Sequence, residues 1–275
     1  MSGFSICVIG NSHTAAYYEA WKRRGIRLRP GASLNFFAAA SKLLEWLRLE
    51  QGVLLSENAE LSDCLMRSSG GTDRIAIEAY DAFVLIGLGV RINVTALSNC
   101  CGTVAHRAYG KVKKLVSNAC FEAAIAAELQ RSRAFWFVDR IRSVSDRPVL
   151  ICPSPFRTEE QLEENAGKLA SAEFHSSIVE QGMRVGDAIA ARRGCTFVWQ
   201  GPATLSAPGF TRTELSKNAL RLGKSPSEDG LHMNEAYGYL MLSAVLERLD
   251  ALSQGRVLER PDCAAAGQEE ISSAA

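Results

Sequence analysis

Four short runs of nearly continuous apolar residues punctuate the chain: Phe4 to Ile9, Ala82 to Ile86, Pro148 to Cys152 and Cys195 to Trp199. Apolar and polar positions do not alternate within them, so they read as parallel strands covered by helices on both faces. A weaker run, Ile26 to Arg29, is the expected second strand. Between the runs, apolar positions recur at helical spacing. Phe36, Phe37, Ala40, Leu43, Leu44 and Leu47 trace one such stripe, which predicts a helix. Thr158 with Gln161, and Thr211 with Glu214, carry the capping-box pattern that opens a helix. The clearest stripe is Tyr237, Leu240, Met241, Ala244, Val245 and Leu249, with Asn234 and Glu235 suited to its start.

Strands alternating with helices make βαβ units, and right-handed crossovers fold such units into layers. The expected architecture is therefore a three-layer α/β/α sandwich around a five-stranded parallel sheet of order 2-1-3-4-5. One domain is expected over residues 1–252, with 52–79 as a candidate insertion of little regular structure. Residues 253–275 are rich in Gly, Ala, Ser and charge, and a disordered tail is expected there.

Composition narrows the class without naming the chemistry. The chain has 275 residues, 47% of them hydrophobic and 22% charged, as ordinary globular proteins do. A formal net charge of +1 leaves no broad basic footprint, so no nucleic-acid partner is expected. No apolar run approaches the roughly 20 residues of a membrane span. The start, Met1-Ser2-Gly3-Phe4, has neither a basic n-region nor a long apolar h-region, so a cytoplasmic protein is expected. The eight cysteines include no CxxC pair, and Cys7, Cys152 and Cys195 lie in apolar runs, which fits a reduced, structural set. Cys100, Cys101 and His106 could be imagined around a metal. Adjacent cysteines rarely both ligate one zinc, however, and a second ligand pair is missing, so no metal is expected.

In an open parallel sheet, ligands bind outside the carboxyl ends of the strands. Directly after the first run stands Gly10-Asn11-Ser12-His13-Thr14. At a strand-to-helix turn, the Ser12 hydroxyl would face the cleft and its N–H would be a free donor, which suits a nucleophile as well as a simple helix cap. A serine nucleophile needs a base, and the base an orienting acceptor. Of the four histidines, His13 would point away along the helix as a cleft or packing residue, and His106 and His175 read as ordinary packed or solvated side chains. His232 sits in Glu228-Asp229-Gly230-Leu231-His232, a loop entering the last helix, with Asp229 three residues before it. It reads equally as a base or as an exposed loop histidine. Gly10-Asn11-Ser12-His13-Thr14 lacks the final glycine of the α/β-hydrolase elbow, and Gly87-Leu88-Gly89 lacks the third glycine of a dinucleotide loop.

Gly10-Asn11-Ser12-His13 after the first strand, together with Asp229-Gly230-Leu231-His232 before the last helix, resembles the SGNH (GDSL-type) hydrolase superfamily. The resemblance implies a flavodoxin-like fold and a serine esterase cleaving a small acyl ester. Ser12 would be the nucleophile, His232 the general base and then acid, and Asp229 the group orienting the imidazole. It also implies oxyanion donors: the Ser12 N–H, a glycine after the second strand, matched by Gly31 with Gly70 or Gly71 as weaker candidates, and an asparagine after the third. The asparagine is a departure. Gly87-Leu88-Gly89-Val90 stands where G-x-N-D belongs, leaving Asn93 or a backbone N–H at Gly87 or Gly89 as substitutes. Asn11 also replaces the family's aspartate. The expected partner is a small-molecule ester, with an acylated carbohydrate as the analogy, and the chemistry requires no cofactor. An acyltransferase using the same triad, or a non-catalytic binding protein with a degenerate oxyanion hole, are the alternatives.

Overall fold

The computed structural model describes residues 3–26, 28–94, 96–97, 101–106, 114–163, 171–222, 224–227 and 231–255. Strand β1 (Ser5–Gly10) turns into α1 (Thr14–Arg23), and β2 (Ser33–Ala38) follows. Three short strands and a helix come next: β3 (Arg48–Glu50), β4 (Val53–Leu55), α2 (Ala59–Ser69) and β5 (Ile75–Ala76). After β6 (Ala82–Ile86) come α3 (Asn118–Gln130), α4 (Arg133–Arg142) and β7 (Val149–Cys152). Then follow α5 (Glu159–Glu163), α6 (Ala172–Arg192), β8 (Thr196–Phe197), β9 (Leu205–Ala207) and β10 (Phe210–Thr211). The described elements close with β11 (Ala219–Arg221), β12 (Lys224–Ser227) and α7 (Glu235–Ser253).

Five of these strands form one parallel sheet, β2-β1-β6-β7-β8. Its strands alternate between two cores. Cys7, Ile9, Phe83, Leu85, Val149 and Ile151 face a core built with Leu61 and Leu65 of α2, Phe121 and Ile125 of α3, Phe135 and Val138 of α4, and Ile178 and Met183 of α6. Ile6, Val8, Ala82, Val84, Leu150 and Cys152 face a second core, built with Ala16 and Tyr17 of α1 and Tyr237, Met241 and Val245 of α7. Helices on both faces explain why the strand runs carry apolar residues at every position. Burial pushes the Cys152 thiol up to about 12 and Cys195 to about 11, so both stay protonated as core side chains.

Several expectations are corrected. The second strand is Ser33–Ala38, not Ile26 to Arg29, and it pairs in register with β1 from Ser5↔Ser33 to Gly10↔Ala38. Phe36 and Phe37 are thus strand residues on opposite faces, and Leu43 and Leu44 lie in a single 3-10 turn, Leu43–Trp46. Counted along the whole chain, the order β2-β1-β6-β7-β8 differs from the expected 2-1-3-4-5. The difference lies in β3, β4 and β5, a separate antiparallel sheet that enters between β2 and β6. Residues 52–79, expected to hold little regular structure, thus contain β4, α2 and β5. Thr211 is a strand residue whose hydroxyl donates to Phe156 O at 2.7 Å, so it opens no helix. The last helix starts as expected, with Asn234 Oδ1 accepting from Tyr237 N–H at 3.2 Å. Residues 256–275, most of the expected tail, lie outside the described residues.

Candidate active site

Ser12 lies in the turn between β1 and α1, at the carboxyl edge of the parallel sheet. Asn11 builds that turn. It is buried, its Oδ1 accepts from His13 N–H at 3.2 Å, and its Nδ2 donates to Ser41 Oγ at 3.1 Å, tying the turn to the segment after β2. Asn11 therefore fits its place as a structural bracket. Among the described residues, the Ser12 N–H donates to no protein acceptor.

His232 reaches Ser12 from the other end of the chain. Its Nε2 is 2.8 Å from Ser12 Oγ, hydrogen-bond distance for a hydroxyl and an imidazole. The two residues that follow it are pinned: Leu220 N–H donates to Met233 O at 3.0 Å, and Asn234 N–H donates to Leu215 O at 2.8 Å. Helices α1 and α7, which begin just after Ser12 and His232, pack directly together. A Cβ on Gly238 would stand 2.0 Å from Ala16 O, so only glycine permits this approach. His13 is a cleft residue, as expected, but it turns toward His232 instead of away along α1. Its ring lies 4.9 Å from the His232 ring, centroid to centroid, at 31°. Asp229 lies outside the described residues.

Ser12, His13 and His232 open onto a cavity of about 230 Å³, lined also by Arg91, Ile92, Asn93, Ser154, Phe156, Arg157, His175, Val179 and Leu231. That is below the about 300–1,000 Å³ of sites that hold drug-sized ligands, so it suits a small ester. Asn93 is in the lining, and its Oδ1 accepts from Ala96 N–H at 3.2 Å, which leaves its Nδ2 as the donating end. Gly31 is not brought to this site. It precedes β2 instead of following it, and a Cβ there would face Gly3 at the amino end of β1. The six residues of β1 put roughly 20 Å of strand between that end and Ser12. Gly70, the C-cap of α2, and Gly71 are likewise outside the lining.

After β6, the backbone adopts positive φ at Gly87 (70°), Leu88 (49°) and Gly89 (78°) in succession. Leu88 is an unusual residue there, held by complete burial of its side chain. A Cβ on Gly87 would meet Asn11 Oδ1 at 2.5 Å and His13 Cδ2 at 2.8 Å. Gly87→Ala should therefore push on the nucleophile turn itself. Its expected cost is about 1–2 kcal/mol of stability and about tenfold in kcat, checked by thermal unfolding alongside esterase assays.

The arginines and His175 in the lining were not singled out from the sequence; Arg91 and Ser154 do fall in the segments after strand runs, the one available signal. His175 is packed, as expected of it, but it also walls the cavity. Its Nε2–H donates to Gly209 O at 3.1 Å and its ring stacks on Phe210 at 4.4 Å. Burial, with Arg157 adding to it, lowers its pKa from 6.5 to about 4, although the Gly209 carbonyl opposes the shift. The folded value is below the unfolded one, so on acidification the unfolded chain takes the proton first. Stability carried by neutral His175 is full above pH 6.5 and is lost as pH falls to about 4. His175→Gln should flatten the acid limb of the stability–pH curve by up to about 3 kcal/mol, measured by urea unfolding at several pH values.

No family model matches the chain, and neither does any curated protein. Among solved structures, it is similar to the lipase Lip_vut3 from a goat rumen metagenome, with TM-score 0.40 and 12% identity, covering 90% of this chain and 99% of that one. It is similar to the periplasmic domain of the lipopolysaccharide acetyltransferase of Salmonella ser. Paratyphi A, with TM-score 0.40 and 9% identity, covering 90% and 84%. It is also similar to the catalytic domain of peptidoglycan O-acetyltransferase A from Streptococcus pneumoniae, with TM-score 0.37 and 12% identity, covering 92% and 97%. With TM-scores below 0.5, none of them bears on what this chain does. Among the described residues, no helix is long and apolar enough to cross a membrane.

Proposed function

We propose that the chain is a serine acyl hydrolase of the SGNH type, acting on a small ester. The observation that carries this reading is the 2.8 Å approach of His232 Nε2 to Ser12 Oγ, inside a cavity at the carboxyl edge of a parallel sheet. In this reading, Ser12 Oγ bonds to the ester carbonyl carbon while His232 Nε2 takes the hydroxyl proton. The tetrahedral oxyanion accepts from the Ser12 N–H and, replacing the absent family asparagine, from Asn93 Nδ2. The carbon–oxygen bond to the alcohol breaks, and His232 passes its proton to the leaving alkoxide. Water then attacks the acyl-serine, His232 takes its proton and returns it to Ser12 Oγ, and the carboxylic acid departs. Asp229 holds the Nδ1–H tautomer and offsets the charge on the imidazolium.

A test that needs no knowledge of the substrate is the pre-steady-state course with p-nitrophenyl acetate. The reading expects a p-nitrophenol burst of about one equivalent, followed by slower turnover. Acceleration of that second phase by an added alcohol, with acetyl appearing on the alcohol, would assign the chain to acyl transfer. Absence of both burst and turnover across several activated esters would remove the enzymatic reading.

A further inference from the structure

This inference rests on the acyl-hydrolase reading and concerns the substrate class of the same cavity. Two arginines border the cavity beside Ser12 and His232: Arg91, after β6, and Arg157, after β7. Among the described residues, neither forms an ion pair, and no Asp or Glu lines the cavity. Some arginines elsewhere in the fold are matched, Arg24 with Glu235 at 2.8 Å, Arg29 with Asp250 at 2.8 Å and Arg193 with Asp139 at 2.6 Å, while others such as Arg131 and Arg184 are not; what sets Arg91 and Arg157 apart is their place on the wall beside Ser12. His175, in the same wall, is kept neutral by its burial and adds nothing to the positive charge of the two guanidiniums.

Both arginines stand on backbone that is fixed from several sides. Val90, just before Arg91, donates its N–H to Gly87 O and accepts from Ser154 N–H, each at 2.9 Å, joining the loops after β6 and β7. Phe156, just before Arg157, donates its N–H to Gln200 Oε1 at 2.7 Å and accepts from Thr211 Oγ1 at 2.7 Å. Arg157 O accepts from Thr211 N–H at 2.9 Å, and Gln200 and Thr211 are buried. The backbone beside both arginines is therefore set before a ligand arrives, which lowers the ordering cost of binding there.

We propose that the cavity selects small esters whose alcohol portion carries an anionic oxygen group, a carboxylate or a phosphate, held by Arg91 and Arg157 while the acyl carbonyl lies at Ser12. The alcohol side is favoured over the acyl side because a charge on the acyl group would sit beside the developing oxyanion and raise the transition state. A guanidinium fork matches both carboxylate and phosphate, so the two share one recognition chemistry.

The test compares three mono-O-acetylated compounds that differ only at carbon 6: glucose, glucuronate and glucose 6-phosphate. The proposal expects kcat/KM for at least one charged ester to exceed that for the neutral one by about tenfold, a gap that narrows in about 0.5 M salt. In the Arg91→Gln/Arg157→Gln variant the ratio should fall to about one, and the matching double lysine variant should recover part of it. Equal rates on all three esters in the wild type, or a preference that survives the double glutamine variant, would overturn it. If none of the three is cleaved, calorimetric binding to the Ser12→Ala chain decides. Selective binding of a charged compound upholds the anion site and counts against the hydrolase reading alone. Binding without selectivity, or none, overturns the anion site.

Discussion

Ser12→Ala is expected to lower kcat on p-nitrophenyl acetate by at least about 10⁴-fold while the protein stays folded. The size follows from the role: without the hydroxyl no acyl-enzyme forms, and only the backbone donors and the cavity remain to assist water. The intact fold follows from the contacts. Ser12 is half-buried, and among the described residues the one hydrogen bond its hydroxyl makes runs to His232. The turn itself is held by Asn11 through His13 N–H and Ser41, and the substitution touches neither contact. Assays at saturating ester together with a thermal melt check both halves. A variant that melts normally yet keeps most of its kcat would remove Ser12 from the reaction.

His232→Gln should fall nearly as far, by about 10⁴-fold, and the double variant Ser12→Ala/His232→Gln should fall little further. In the proposed cycle each proton transfer passes through His232 Nε2, so the hydroxyl and the imidazole would act as one unit and their losses would not add. Glutamine preserves much of the volume of a ring that is 7% exposed and packed beside His13, so stability should change little. Kinetics of the two single variants and the double variant on one ester give the coupling directly. Additive losses would mean that the 2.8 Å contact joins two groups that work independently.

What could be read from the sequence follows the physics of each element. A parallel strand covered on both faces needs apolar side chains at both parities, and Ile6 with Val8 on one face and Cys7 with Ile9 on the other supply them. That pattern exposes itself in any window of the chain. Strand β2 does not, because Phe36, Phe37, Ala40, Leu43, Leu44 and Leu47 also satisfy helical spacing. Pairing with β1, a tertiary fact, decided in favour of extended chain. The same ambiguity governs Gly31, which follows the run Ile26 to Arg29 but precedes the strand that forms, Ser33–Ala38.

The site divides along similar lines. Ser12 and His232 come within reach because the carboxyl ends of strands are few and the histidines number four, but a helix cap and a loop histidine fit them as well until the SGNH resemblance is added. The cavity wall does not. An exposed arginine such as Arg157 looks like any other surface residue, and what places it is a set of hydrogen bonds across 44 and 55 residues of sequence, from Phe156 to Gln200 and to Thr211. Thr211 had the spacing of a helix cap, yet its hydroxyl was claimed by that network. Local rules of capping and periodicity contain no term for such partners.

The central claim is that Ser12 is an activated nucleophile, and covalent capture tests it most directly. The protein is incubated with a fluorophosphonate, digested, and the modified peptide sequenced by mass spectrometry. The account predicts a phosphonate bonded to Ser12 Oγ with loss of fluoride, absent from Ser12→Ala and formed far more slowly in His232→Gln. A folded protein that leaves Ser12 unmodified, or that is modified at Ser12 equally fast without His232, would contradict it.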